Sequence, residues 1–177
     1  SRRHIFACGD VAGPYPFTHM AEHQAGVVIA NAVFRWPQKV DYSAVPWVTY
    51  TDPELGRVGL GEEEARAQGL AVEVMTFDFA DVDRALCEGD TVGRVKLVAR
   101  KGRLVGAAVL GAHGGELLHE LALAVRTGTK LRALSDTIHA YPTRSQAHRR
   151  AVNSHYGEKL FSARTRRLVG WLNRLLP

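Results

Sequence analysis

The 177-residue chain is 46% hydrophobic and carries 23 Lys and Arg against 18 Asp and Glu, a formal charge of +5. That apolar content can bury a substantial core, which excludes a disordered polypeptide and leaves one domain or a domain with an appendage. The excess charge falls late, in Arg144, Arg149, Arg150, Arg164, Arg166, Arg167 and Arg174, without the aromatic-interleaved stripe or motif of a nucleic-acid binder, so no nucleic-acid partner is expected.

Ile5-Phe6-Ala7-Cys8 is an apolar run of buried-strand character, ended by Gly9-Asp10. A buried strand needs neighbours, and within this chain they could come only after a long helix; the run therefore implies a sheet largely encoded upstream, and the chain reads as a fragment. After Gly13-Pro14-Tyr15-Pro16, the pattern predicts a helix over 18–35 with Thr18 as N-cap and Met20, Val27, Val28, Ile29 and Phe34 as apolar positions, stopped by Pro37. The polar connector at 36–43 is the expected domain boundary.

Residues 45–50 alternate as a strand and lead into the turn Thr51-Asp52-Pro53-Glu54. A short helix over 62–68 has an acidic first turn and is closed by Gly69, and a strand follows over 72–79. Strands at 94–100 and 104–110 flank the hairpin residues Lys101-Gly102-Arg103. Gly114-Gly115 opens a core helix over 116–127 whose apolar positions are Leu117, Leu118, Leu121, Leu123, Ala124 and Val125. Helices over 131–138 and 145–153 bracket Tyr141-Pro142, because Pro142 disfavours helix at Tyr141. The expected fold class is α+β, an antiparallel sheet flanked by helices.

The last stretch, 159–176, sets Leu168, Trp171, Leu172, Leu175 and Leu176 on one stripe with arginines elsewhere. The pattern suits a helix packed on its own domain or a dimer partner, and equally a peripheral contact with a membrane surface. No apolar run approaches the ~18 residues of a membrane span, and the opening residues have no signal-peptide apolar region. Cys8 and Cys87 make neither a metal cluster nor a Cys-x-x-Cys pair, so a reducing, cytoplasmic setting is expected. His19 and His23 stand at i, i+4 without a third ligand at matching spacing, and no metal centre is expected. An ionised Asp10 can accept from two sugar hydroxyls while Gly9 lets a ligand approach the backbone, or Gly9-Asp10 is simply a turn.

Taken together, residues 5–13, Val45 to Leu60 with Glu62 to Arg66, residues 106–112, Glu116-Leu117-Leu118 and His139-Ala140-Tyr141-Pro142-Thr143-Arg144-Ser145-Gln146 resemble the C-terminal portion of the class I pyridine nucleotide-disulfide oxidoreductases. The resemblance implies that residues 1–37 end an FAD-binding domain, 38–157 form a dimerisation domain and 158–177 add an amphipathic helix. It implies a homodimeric, FAD-dependent parent enzyme that takes hydride from NAD(P)H, the fragment alone being inactive because it holds neither Gly-rich dinucleotide motifs nor a redox Cys pair.

By the same resemblance, Gly9 and Asp10 hold the flavin's ribityl chain, and Phe17, Thr18 and His19 present backbone N–H groups to its pyrimidine edge. The Tyr141–Pro142 bond would be cis, with Tyr141 and Gln146 facing the partner's active site. Disulfide-reducing members carry His and Glu at these two positions, and a phenol does not exchange protons at neutral pH as imidazole does. His139, two residues earlier, either substitutes or is a packed or capping histidine. Tyr141 is similar to the mercuric reductase branch, yet residues 147–177 lack that branch's cysteine pair; as a residue alone it also reads as a buried aromatic with one hydroxyl partner. The alternative is a non-catalytic assembly module of a flavin-binding relative.

Overall fold

The computed structural model describes residue 2 and residues 4–175, with backbone only at 158 and 159. The chain divides into two compact units, residues 1–45 and 46–177.

The first unit holds one helix, α1 (Thr18–Ala32). Its cap is Phe17 rather than Thr18: Phe17 is extended (φ −121°, ψ 144°), and its carbonyl accepts the N–H groups of Met20 and Ala21, which places Thr18 already inside the first turn. The helix also stops before Arg35. The N–H groups of Val33 and Phe34 both converge on Ile29 O, and Arg35 at φ 56° turns the chain before Pro37 is reached. Asn31 ties the connector down, donating to Val27 O (2.9 Å) and Gln38 O (3.0 Å) and accepting from Gln38 N (3.0 Å).

The run Ile5 to Cys8, expected as a buried strand, is neither buried nor a strand; Ile5 and Phe6 are exposed and no ladder joins them among the described residues. A single strand has no stability without a hydrogen-bonded neighbour, and these residues have none.

The second unit is built on one antiparallel sheet of β1 (Pro46–Thr49), β2 (Glu54–Gly59), β3 (Glu73–Asp78), β4 (Arg94–Arg100) and β5 (Arg103–Gly111), in the order β1-β2-β5-β4-β3. This is the α+β architecture expected. The β4–β5 hairpin closes through Lys101 (φ 50°) and Gly102 (φ 71°), two left-handed residues that match the twist of the flanking strands.

Strand β2 departs from the expected turn over Thr51 to Glu54 and the segment after it. Its two glycines lower intrinsic strand preference, but Gly56 lies against the helix over Gly114–Arg126: a Cβ there would lie 2.9 Å from Gly114 O and 3.3 Å from Leu118. Pairing to β1 and β5 on both sides then outweighs local propensity.

Helix α2 (Glu62–Ala67) starts at Gly61, whose N–H donates to Glu64 Oε2 (2.6 Å), and Lys96 of β4 pairs with Glu62 at 2.7 Å. Helix α3 (Asp83–Glu88), unanticipated from the sequence, ends in left-handed Gly89. Helix α4 (Gly114–Arg126) packs on β5, β2 and β1, and α6 (Gln146–Leu160) on β3 and β4, with α5 (Leu131–Asp136) beside α6.

The core between sheet and helices contains Val95, Leu97 and Val109 from the strands, Phe79, and Leu118, Leu121, Ala151 and Val152 from the helices, all nearly inaccessible. Leu123, expected on the apolar face of α4, is 65% exposed. It lies on the side of the helix opposite Leu118, Leu121 and Ala124.

Helix α5 stops at Asp136 rather than Ile138 because Thr137 is extended and its hydroxyl donates to Ala133 O (2.8 Å), satisfying a terminal carbonyl. Helix α6 runs on past Asn153 to Leu160, and α7 (Ala163–Leu175) follows with no buried residue. Leu168, Trp171, Leu172 and Leu175 are thus exposed, while Leu176 lies outside the described residues. No described helix is long and apolar enough to cross a membrane.

Candidate functional site

The segment between α5 and α6 presents the candidate chemistry. After Thr137 the chain is extended, Ile138 is 91% exposed, and the Tyr141–Pro142 peptide bond is cis. Thr143 closes the turn by donating to Ala140 O (2.7 Å), and its hydroxyl meets that of Ser145 at 3.1 Å. Tyr141 is 70% exposed, which overturns its reading as a buried aromatic: the turn carries it outward.

Arg144 points the other way. Its side chain is buried; Nε donates to Glu88 Oε2 (2.9 Å), Nη1 to Asp90 O (3.1 Å) and Nη2 to Asp90 Oδ2 (3.2 Å), while the guanidinium lies 5.8 Å from the Phe79 ring centre. These bonds tie the turn to the end of α3. The Arg144 guanidinium holds Glu88 below the usual carboxylate range, against a smaller cost of partial burial. Beside the turn runs a groove of about 450 Å³ whose lining includes Arg84, His113, Glu116 and Pro142.

His139 folds inward. Its Nε2 lies 2.9 Å and 3.2 Å from the two Glu120 oxygens, and its Nδ1 lies 3.2 Å from Thr137 O. The same carboxylate accepts from His148 Nδ1 (2.7 Å), and His148 is 1% exposed. Burial pushes the Glu120 carboxyl up, but the hydrogen bond from His148 and the positive character of both imidazoles outweigh it and hold Glu120 below its ordinary value.

His139 is therefore packed against Glu120, in line with the packed-histidine reading. Gln146 begins α6 half-buried, its Oε1 enclosed without a hydrogen-bond partner among the described residues. Of the three residues named from the sequence, the fold thus turns Tyr141 out to solvent and His139 into a carboxylate.

In the first unit, Gly9 (φ 77°) donates to Gln24 Oε1 (2.7 Å) and its carbonyl accepts from Ala12 N (2.9 Å), so Gly9-Asp10 forms a turn that leaves Asp10 exposed. The Phe17 and His19 rings stack at 5.2 Å, Thr18 and His19 are exposed, and no side chain caps the first turn of α1. A cavity of about 180 Å³ lies between Phe6, Ala12, Gln24 and Tyr42.

Over residues 45–152 the chain matches the family model of the pyridine nucleotide-disulphide oxidoreductase dimerisation domain. The chain belongs to this family. Among curated relatives, the dihydrolipoyl dehydrogenase of Halobacterium salinarum is 43% identical over 145 residues, 81% of this chain and 30% of the relative. That of Geobacillus stearothermophilus is 40% identical over 78% of this chain and 30% of its own length. The chain spans about a third of the length of the curated relatives it matches.

Two solved structures share the fold. LpdA of Mycobacterium tuberculosis superposes with a TM-score of 0.79 at 24% identity, covering 85% of this chain and 33% of that one. The HOCl-induced flavoprotein disulfide reductase RclA of Escherichia coli superposes with a TM-score of 0.77 at 27% identity, covering 84% and 35%. The dimerisation domain described here carries Tyr141 on the Tyr141–Pro142 turn and Gln146 at the start of α6.

Sequence reasoning missed Glu120, His148 and the partners of Arg144. A signal for His148 was present: it shares the stripe of Ala147, Ala151 and Val152, so a polar group there had to find a partner inside.

Proposed function

We propose that this chain is the C-terminal part of a homodimeric, FAD-dependent NAD(P)H oxidoreductase acting in the cytoplasm. Residues 1–37 would close the FAD domain, 38–157 form the dimerisation domain, and 158–177 an appended amphipathic helix. The observation that carries the reading is the outward Tyr141 on the Tyr141–Pro142 turn, braced from behind by Arg144 and by His139 on Glu120. A side chain aimed away from its own domain and held by rigid neighbours suits a group that serves a second subunit.

The first unit fits one edge of a flavin. Asp10 is an exposed acceptor for hydroxyls, and the uncapped first turn of α1 offers N–H donors with positive potential. Its cavity of about 180 Å³ is below the roughly 300–1,000 Å³ of ordinary small-molecule sites. Gly9, Asp10, Phe17, Thr18 and His19 would therefore contact the cofactor while residues beyond this chain enclose it. FAD, when bound, supplies two-electron redox chemistry between NAD(P)H and an acceptor.

Tyr141 can donate or accept one hydrogen bond at that site but does not take a thiol proton as imidazole does. Gln146 cannot orient a charged imidazole as Glu would. The acceptor of this branch is consequently one whose reduction does not depend on a His-Glu pair. We assign the exposed stripe of α7 to packing within the assembled protein; co-sedimentation with anionic vesicles that disappears on deleting 163–177 would overturn that assignment.

The second reading, a silent assembly module, is favoured by the replacement of both dyad residues. The complete gene product discriminates. A flavin spectrum, NAD(P)H oxidation and an upstream Cys-x4-Cys pair are expected of the enzyme, while flavin binding without turnover and without the Cys pair would establish the module. For the 177-residue chain, light scattering should give twice the monomer mass, and a strictly monomeric solution at micromolar concentration would count against dimerisation through these residues.

A further inference from the structure

We propose that Glu120, His139 and His148 bind a divalent transition-metal ion, zinc being the ion their chemistry suits best. Three segments far apart in sequence deliver them: Glu120 from the middle of α4, His139 from the extended chain after α5, and His148 from the first turn of α6. One ligand atom from each lies within 4.8 Å of the others. Two imidazole nitrogens and a carboxylate oxygen form a borderline donor set that favours zinc over magnesium or calcium, which prefer all-oxygen shells.

The geometry is close to that of a loaded site. Around an ion with bonds of ~2.0–2.1 Å, tetrahedral ligand atoms lie about 3.3 Å apart, whereas the carboxylate now meets the two rings at 2.7 Å and 2.9 Å. Each carboxylate–ring distance would have to open by about half an ångström for an ion to replace the shared hydrogens, and the two ring nitrogens lie within 4.8 Å of each other. His139 already has the outer contact that fixes a ligating imidazole, since its Nδ1 faces Thr137 O at 3.2 Å. Glu120 keeps about a third of its side chain exposed, which gives an ion access and leaves a fourth position for water.

His148 is held to the cluster through Nδ1. His148 is 1% exposed, yet its Nε2 has no hydrogen-bond partner among the described residues. A metal on Nδ1 would fix the ring with its proton on Nε2 and leave that nitrogen as it is, so the case for the site rests on the three converging ligand atoms.

The inference does not depend on flavin or turnover, so its failure leaves the oxidoreductase reading untouched. The full chain, stripped with chelator and carrying Cys8→Ser and Cys87→Ser to remove thiolate ligands, is titrated calorimetrically with Zn²⁺ and spectroscopically with Co²⁺. One equivalent is expected to bind, and His148→Leu and Glu120→Ala should each weaken it at least tenfold, while His19→Ala, on the other helix with paired histidines, should leave it unchanged. Absence of stoichiometric binding, or affinity unchanged in both cluster variants, would overturn the proposal. Should those variants fail to fold, X-ray absorption on the zinc-loaded parent decides: two imidazoles and no sulfur support the site, and any other ligand set refutes it.

Discussion

Substituting Arg144 tests whether the turn is held by its buried anchor. In Arg144→Met the apolar stem still covers Phe79, so the change isolates the hydrogen bonds to Glu88 Oε2, Asp90 O and Asp90 Oδ2. Breaking a fully buried ion pair costs about 3–5 kcal/mol, because the remaining charge is stranded. Here the Glu88 and Asp90 side chains are 35% and 43% exposed and regain water, so the loss should fall to about 2–3 kcal/mol. In a chain of this size that lowers Tm by roughly 4–12 °C. Arg144→Lys keeps the charge but cannot span both partners, and should lose about 1 kcal/mol or more. Urea denaturation followed by circular dichroism measures both, with the m-value unchanged. Hydrogen exchange should show faster exchange across 137–145 in Arg144→Met. A variant within about 0.5 kcal/mol of the parent, with turn protection intact, would show that Arg144 is an ornament of the turn rather than its anchor.

Three further outcomes are expected. Glu120 has a folded-state value below its ordinary 4.5, so its contribution is complete above that value and vanishes as the pH falls through the lower folded one; the stability gap between parent and Glu120→Gln should be constant down to about pH 5 and shrink in more acid urea melts. Leu118, fully buried on α4, should cost about 2–5 kcal/mol as Leu118→Ala, measured by the same denaturation, and a loss under 1 kcal/mol would mean that α4 is not seated on the sheet as described. A Cβ at Gly106 would overlap the Leu60 carbonyl. Gly106→Ala should therefore destabilise by about 2–3 kcal/mol, appearing as lower soluble yield and a lower urea midpoint.

Periodicity made much of the second unit legible. The β4–β5 hairpin, the apolar face of α4 around Leu118 and Leu121, and the helices on either side of Tyr141-Pro142 all follow from patterns within a dozen residues. Where local and tertiary preferences diverge, the sequence misled. The turn expected over Thr51 to Glu54 gives way at Glu54 to β2, where Gly56 makes room for α4 and lets the strand enter the sheet. Ile5 to Cys8 reads as a strand whose sheet lies outside this chain, and without that neighbour it forms no ladder among the described residues.

The candidate site divides along the same line. The sequence by itself determined the family, through the order of its short motifs, and the presence of Tyr141 and Gln146 around the turn, because residue identity needs no coordinates. Only the tertiary structure decided that Tyr141 faces outward, that Arg144 is buried on Glu88 and Asp90, and that Glu120 gathers His139 and His148. Those partners lie 19 to 56 residues apart in the chain, and no local rule of spacing relates them. Their meeting depends on how α4 and α6 settle on one sheet.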